Sequence, residues 1–278
     1  MSLIISIAQA GIRLLSFNLR ARLALECVTI ETGLGLLKRN GFEPTAIIDV
    51  GACAGDWSRM AFRLWSGIPV YMIDGNPENE RLLGETARQL GHSVRHFIQL
   101  LGQEHRESVR LFQLGTGTSV MRELTESHPR TIEVSMERLD RLLAGVVMGD
   151  NALIKLDVQG YELEVLKGAG EIFRRAEVVI LEAATIPFND GAPLFAEVVK
   201  FMDDSGFVAY EFCGGTRRTD LAVFQIDVFF VRRESSLRNK QRFFKHEAAE
   251  GAVGRPFLGL GIWPARTPPG GEEKRRRS

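Results

Sequence analysis

Two hydrophobic patterns alternate along the central part of the chain. Short runs rich in β-branched and aromatic residues predict strands at residues 46–50, 70–73, 94–100, 108–113, 152–157, 178–182, 207–211 and 225–231. Between them, apolar residues at helical spacing predict helices at residues 56–65, 77–90, 161–167 and 193–205. Pro77 and Pro193 suit the first turns of two of these helices, and Gly91 and Gly206 suit their ends. Repeated strand–helix units predict a mainly parallel sheet with helices on both faces.

The two ends of the chain differ from this central part. Apolar residues at roughly helical spacing predict an N-terminal helical segment within residues 1–40. This segment either packs on the domain or lies at a membrane interface, but it is too short to span a membrane. Residues 234–278 contain four of the ten prolines and end in a basic run, which predicts a poorly ordered tail. We therefore assign the folded domain to residues 41–233.

Composition narrows the range of partners. Lysine and arginine (35) balance aspartate and glutamate (35), so no overall positive field argues for binding nucleic acid. The three cysteines are far apart in sequence and form no CxxC pair, so neither a disulfide framework nor a zinc site is indicated. We predict a cytoplasmic protein that does not bind nucleic acid and does not insert stably into a membrane.

Two acids and two glycines near the first strands suggest a nucleotide-like ligand. The first predicted strand contains Asp49, and Gly51 and Gly55 stand in the loop after it. Glycines there permit positive φ and let a ligand approach the backbone. Asp74 follows the second strand, where a carboxylate can accept hydrogen bonds from both hydroxyls of a ribose. Asp74 and Asn76 equally suit a turn and helix cap, and both interpretations can hold together.

The spacing of the glycines helps to separate two classes of ligand. Rossmann dehydrogenases carry G-x-G-x-x-G, which lets the backbone approach a pyrophosphate, and the loop from Gly51 to Gly55 lacks that spacing. An acid two residues before the first glycine looks more like the first motif of S-adenosylmethionine-dependent methyltransferases. A nicotinamide-dependent oxidoreductase remains an alternative, as does a methyltransferase-like binding module without catalysis.

An ordered set of motifs covers roughly residues 40–232. These motifs are Asp49-Val-Gly51-Ala52 with Gly55, Lys155-Leu-Asp157-Val-Gln-Gly160-Tyr-Glu162-Leu-Glu-Val-Leu166-Lys-Gly168-Ala, residues 178–182, and Asp227-Val-Phe-Phe-Val231. In these motifs the chain resembles the FkbM family of methyltransferases, and the second is highly specific to that family. The resemblance implies an α/β, Rossmann-like class I methyltransferase fold, with a seven-stranded mainly parallel sheet whose last strand is antiparallel.

The resemblance also implies an activity and a cofactor. It implies methyl transfer from S-adenosylmethionine to a hydroxyl of a sugar, glycolipid or secondary metabolite, so the partner is a small-molecule or glycan acceptor. Three positions depart from the family pattern. Cys53 stands where asparagine is usual, Asp74-Gly75 where Glu-Pro is frequent, and Tyr161 where alanine is more usual. Tyr161 is therefore a candidate for altering the acceptor pocket.

We assign candidate roles to nine residues. The predicted cofactor-binding residues are Asp49, Gly51, Cys53, Gly55, Asp74, Asn76 and Gln99. Transfer to a hydroxyl requires removal of its proton, for which Asp157 is the first candidate and Glu182 the second. A salt bridge or a cap is the alternative role for each of these two acids. Both could also bind magnesium, but no ligand spacing requires a metal and none is predicted.

Overall fold

The computed structural model describes residues 29–125 and 128–239. The predicted N-terminal helix lies outside the described residues up to residue 28, and so does the predicted tail from residue 240. The described part contains these strands: β1 Ile47–Val50, β2 Val70–Asp74, β3 Val94–Ile98, β4 Leu100–Leu101, β5 Arg106–Gln113, β6 Arg130–Glu137, β7 Ala152–Leu156, β8 Ala176–Ala184, β9 Phe207–Arg217 and β10 Val223–Arg232.

Seven of these strands form the main sheet, in the order β3-β2-β1-β7-β8-β10-β9. The pairs β2–β3, β1–β2, β1–β7 and β7–β8 are parallel. Strand β10 runs antiparallel to both of its neighbours, β8 and β9. The predicted seven-stranded, mainly parallel sheet with an antiparallel last strand is confirmed.

Helices cover both faces of this sheet, as predicted. They are α1 Ile30–Arg39, α2 Asp56–Leu64, α3 Glu80–Leu90, α4 Leu139–Leu142, α5 Glu162–Lys167, α6 Gly170–Arg175 and α7 Phe195–Asp204. Neighbouring residues of each strand point to opposite faces, so the sheet separates two hydrophobic cores. One core joins Ile48 and Ile154 to α4–α7, and the other joins Ile47 and Leu153 to α1–α3.

A second, smaller sheet was not predicted. Its order is β4-β6-β5, with β4 parallel and β5 antiparallel to β6. The run predicted as one strand over residues 94–100 divides at Gln99, so that its first part joins the main sheet and its end joins the small one. Half of the residues of strand β6 are exposed, so it lacks the continuous apolar run that is typical of a buried strand.

No helix among residues 29–125 and 128–239 is long and apolar enough to cross a membrane.

Candidate active site

A cavity of about 500 Å³ opens where β1, β2 and β7 end. The carboxyl ends of parallel strands meet at one edge of a sheet, which is where open α/β sheets bind ligands. Seven of the nine predicted site residues line this cavity: Gly51, Cys53, Asp74, Asn76, Gln99, Asp157 and Glu182. The other two, Asp49 and Gly55, are not among its lining residues.

Both predicted glycines are required by close packing within the protein. Gly51 has a φ of +78°, and a Cβ atom there would lie 1.9 Å from the carbonyl oxygen of Asp157. Gly55 has a φ of +82°, and a Cβ atom there would lie 2.7 Å from Cγ2 of Thr86. The sequence interpretation explained these glycines by approach of a ligand. In the structure they let the β1 loop contact the end of β7 and the side chain of Thr86.

The Asp74 carboxylate lies at the end of β2 and is held by three N–H groups. Its Oδ2 accepts from the backbone N of Cys53 at 2.7 Å. Its Oδ1 accepts from the backbone N of Asn76 at 2.8 Å and from Nδ2 of Asn79 at 3.0 Å. These bonds fix the orientation of the carboxylate in the cavity wall, and Oδ2, which accepts one bond, keeps further capacity to accept.

Asn76 and Gln99 anchor neighbouring parts of the same wall. The Asn76 side-chain oxygen accepts from Nε2 of Gln113 at 2.7 Å and from the backbone N of Glu78 at 3.2 Å. Gln99 donates its Nε2 to the carbonyl oxygen of Ser135 at 2.9 Å. Gln99 therefore connects the end of the main sheet to the small sheet. The cap interpretation of Asn76 is confirmed by its bond to Glu78.

Behind the wall, Asp49 belongs to a buried ionic network. Its side chain is fully buried, Oδ2 accepts from Oγ of Ser58 at 2.7 Å, and Oδ1 lies 3.6 Å from Nζ of Lys155. Burial raises the pKa of Asp49, and the Lys155 ammonium partly offsets that rise. Burial by itself would lower the pKa of Lys155, but the carboxylates of Asp157 and Asp49 outweigh it and raise that pKa.

The two predicted catalytic acids are joined through one amide that the sequence interpretation missed. Gln159 donates its Nε2 to Oδ1 of Asp157 and to Oε2 of Glu182, both at 2.9 Å. Oδ2 of Asp157 lies 3.2 Å from Nζ of Lys155. Gln225 on β10 also donates to Oε2 of Glu182, at 2.9 Å. The structure therefore brings Asp157 and Glu182 together within one hydrogen-bonded group.

Three other acids in this region have raised pKa values. Burial raises the pKa of Glu182 to about 9, and the carboxylates of Asp157, Glu162 and Asp227 add to this rise. Burial likewise raises the pKa of Glu162 to about 7, although it accepts from the backbone N of Val158 and of Gly160. Burial and the nearby Asp157 raise the pKa of Asp227 to about 6. Of these three acids only Glu182 lines the cavity, and a perturbed acid in a cavity is typical of a functional site.

The segment after Asp157 is held in a strained turn. Gln159 has a φ of +55°, which is unusual for a residue other than glycine. Its carbonyl oxygen accepts from Oγ of Ser119 at 3.0 Å and from Nδ2 of Asn189 at 2.8 Å. Strained backbone at functional sites is kept by surrounding contacts of this kind. Two distant loops thus fix the backbone of Gln159, from which its side-chain amide reaches the two carboxyls.

The residues present fit S-adenosylmethionine. The cavity has an oriented carboxylate, Asp74, for ribose hydroxyls, and the exposed backbone of the loop at Gly51 and Cys53 lines the same space. None of the described lining residues is lysine, arginine or histidine. A sulfonium cation would therefore meet acids and amides, with Lys155 buried behind them.

The sheet order and the cavity at its carboxyl edge define a class I methyltransferase. The family model described as "Methyltransferase FkbM domain" matches residues 49–209, so the chain belongs to the FkbM methyltransferases. It is an S-adenosylmethionine-dependent enzyme, which decides between the two enzyme classes that the sequence left open. No curated protein matches the chain.

Solved structures show distant likeness to the chain. Magnesium protoporphyrin IX methyltransferase from Synechocystis with bound S-adenosylmethionine is 15% identical, with a TM-score of 0.41 over 73% of this chain and 79% of that one. Precorrin-6y C5,15-methyltransferase from Geobacter metallireducens is 15% identical, with a TM-score of 0.40 over 73% and 87%. Ribosomal protein L11 methylase from Lactobacillus delbrueckii is 14% identical, with a TM-score of 0.40 over 73% and 78%.

Proposed function

We propose that this enzyme methylates a hydroxyl of a sugar, glycolipid or secondary metabolite, with Asp157 as the base. One observation carries the proposal. Asp157 and Glu182, joined through Gln159, line the same cavity as Gly51 and Asp74. A base for the acceptor and the residues suited to the cofactor therefore share one space. A non-catalytic binding module would have no use for this arrangement.

We propose that seven residues serve the cofactor. Asp74 binds the ribose hydroxyls, Gln99 borders the adenine, and Gly51, Cys53 and Asn76 complete the wall, while Asp49 and Gly55 support the loop from behind. When bound, S-adenosylmethionine supplies an electrophilic methyl group, whose C–S bond breaks as a bond to the acceptor oxygen forms.

Asp157 has the surroundings that a base for a hydroxyl needs. Lys155 and Gln159 each bond one of its oxygens, which fixes the orientation of the carboxylate. The side chain is 36% exposed, so an acceptor hydroxyl can reach it. The acceptor oxygen gives its proton to Asp157 as its electron pair forms the new bond to carbon. Positioned proton transfer of this kind accelerates reactions by roughly 10²–10⁴-fold.

The lining of the cavity supports a polar, uncharged acceptor. Amides and hydroxyls such as Gln225, Thr216 and Ser119 accompany the acids, and Tyr161 and Phe188 add two aromatic side chains. Such walls suit the hydroxyls and the apolar ring faces of a sugar. Phosphates would meet carboxylates inside the cavity, which supports the expectation that nucleic acid is not the acceptor.

Calorimetric titration of S-adenosylhomocysteine, with NAD as control, tests the cofactor site. Turnover is then measured as formation of S-adenosylhomocysteine with a panel of sugars and polyols. Asp157→Asn is expected to abolish most of this turnover while binding of S-adenosylhomocysteine persists. The matched control is Asp150→Asn. Asp150 stands just before the start of β7, whereas Asp157 follows its end, and the side chain of Asp150 is 92% exposed. Full turnover in Asp157→Asn would overturn the assignment of the base.

A further inference from the structure

Glu182 accepts two amide hydrogen bonds on one and the same oxygen. Nε2 of Gln159 and Nε2 of Gln225 both lie 2.9 Å from its Oε2. The orientation of the Gln159 amide follows from its partners, since its oxygen would face two carboxyls if the amide were reversed. Because Oε2 is occupied as an acceptor, a proton carried by Glu182 belongs on Oε1. Glu182 in its neutral form therefore has an O–H group to offer.

The surroundings of Glu182 favour that neutral form. Acids face it from three elements: Asp157 after β7, Glu162 on α5 and Asp227 on β10. The Lys155 ammonium on β7 opposes this effect, but it is engaged by Asp49 and Asp157. Together with burial, these acids keep the proton on Glu182 at neutral pH, with a pKa raised to about 9.

The two carboxyls therefore differ in what they can do. Asp157 is paired with Lys155 and accepts hydrogen bonds, whereas neutral Glu182 donates one. Oδ1 of Asp157 and Oε2 of Glu182 are bonded to the same nitrogen of Gln159, so these two oxygens lie within two hydrogen-bond lengths of each other. Both carboxyls also line the same cavity, so one acceptor molecule can contact the two of them through two oxygens. Adjacent oxygens of a diol are separated by about the length of one hydrogen bond.

We propose, as an inference that rests on the proposed function, that Glu182 is a specificity-determining hydrogen-bond donor. It binds the oxygen next to the methylated hydroxyl. The acceptor is then a vicinal diol, in which one oxygen gives its proton to Asp157 and the other accepts from Glu182. Gln159 and Gln225 are the positioning residues, because they hold Oε2 and thereby direct the proton to Oε1.

The test compares matched acceptors that differ by one hydroxyl. Formation of S-adenosylhomocysteine is measured with cyclohexane-1,2-diol against cyclohexanol, and with methyl pyranosides against their monodeoxy forms. The wild type is expected to favour the diols by about tenfold or more in kcat/KM, because a site built to bond an oxygen rejects the analogue that lacks it. Glu182→Met should reduce this preference to near unity. Glu182→Gln should preserve it, because its amide accepts at one atom and donates at the other.

The pH dependence supplies a readout that a purely structural role would not change. The diol preference of the wild type should fall as the pH rises through about 9, where Glu182 loses its proton. In Glu182→Gln the preference should persist at that pH. A pH-independent preference in the wild type, or a preference that survives in Glu182→Met, would overturn the inference.

The failure of this inference can be told apart from failure of the proposed function. Equal turnover of diols and isolated alcohols by the wild type would overturn the role of Glu182 and leave hydroxyl methylation standing. Binding of S-adenosylhomocysteine with no methylation of any hydroxyl compound would overturn both.

Discussion

Replacing Glu182 by glutamine should stabilise the protein, and increasingly so as the pH rises. Glutamine has the shape of a neutral glutamic acid, and its oxygen can accept the bonds that Gln159 and Gln225 donate to Oε2. The substitution therefore retains the hydrogen bonds of the neutral acid. It removes only the negative charge that Glu182 can acquire beside Asp157, Glu162 and Asp227.

The magnitude follows from the difference in pKa between the folded and unfolded chain. The pKa of Glu182 rises from 4.5 to about 9 on folding, and each pKa unit corresponds to about 1.4 kcal/mol. Linkage fixes the sign of the effect. The stability that protonated Glu182 gives the wild type is fully present below the pKa of the unfolded chain, and it is lost as the pH rises towards the pKa of the folded chain. Because Asp227 also has a raised pKa and can relieve the repulsion by taking up a proton itself, we expect roughly half of the limiting value. This is about 2 kcal/mol at pH 8 and close to zero at pH 4.5.

Thermal unfolding followed by circular dichroism from pH 4.5 to pH 9 measures this effect. A gain of about 2 kcal/mol corresponds to roughly 4–8 °C in the melting temperature of a domain of this size. Glu177→Gln is the control, because it removes the same charge near the opposite end of β8. An advantage of Glu182→Gln that stays constant with pH, or a variant less stable than the wild type at pH 8, would refute the reasoning.

Three further predictions concern the cofactor site and the base. Asp157→Asn should lower kcat by about 10²–10⁴-fold, while calorimetry finds unchanged affinity for S-adenosylhomocysteine. Asp74→Ala should weaken that affinity by roughly 10–100-fold through loss of charged hydrogen bonds, and unchanged affinity would remove the ribose assignment. Gly51→Ala should lower the melting temperature by several degrees, because its Cβ would lie 1.9 Å from a backbone oxygen. Gly35→Ala, with nothing within 4 Å of its Cβ, is the control and should not destabilise α1.

Much of the main sheet could be predicted because its strands are buried on both faces. The cores on either side of the sheet make strands such as β1 and β7 almost continuously apolar, and such runs are visible in a sequence. Three acids interrupt or follow these apolar runs and therefore stand out in the sequence: Asp49, Asp74 and Asp157. Since parallel strands end at one edge, their order along the chain already placed Asp74 and Asp157 at the same side of the sheet.

The small sheet could not be predicted in the same way. Half of the residues of strand β6 are exposed, so its sequence has no continuous apolar run, and its pairing with β4 and β5 joins segments that are separated in sequence. The division of one predicted strand at Gln99 has the same origin. Hydrogen bonds to different sheets on either side of that residue separate β3 from β4.

By itself, the sequence determined which acids stand at the strand ends and which loop carries the glycines. Local periodicity and backbone sterics specify such features residue by residue. The tertiary structure alone decided that Gln159, Glu182 and Gln225, from three separate elements, meet at one oxygen. It also decided that two of the predicted residues, Asp49 and Gly55, stand behind the cavity wall. Hydrogen-bond partners and burial depend on packing between distant segments, and packing also sets the charge states of the acids.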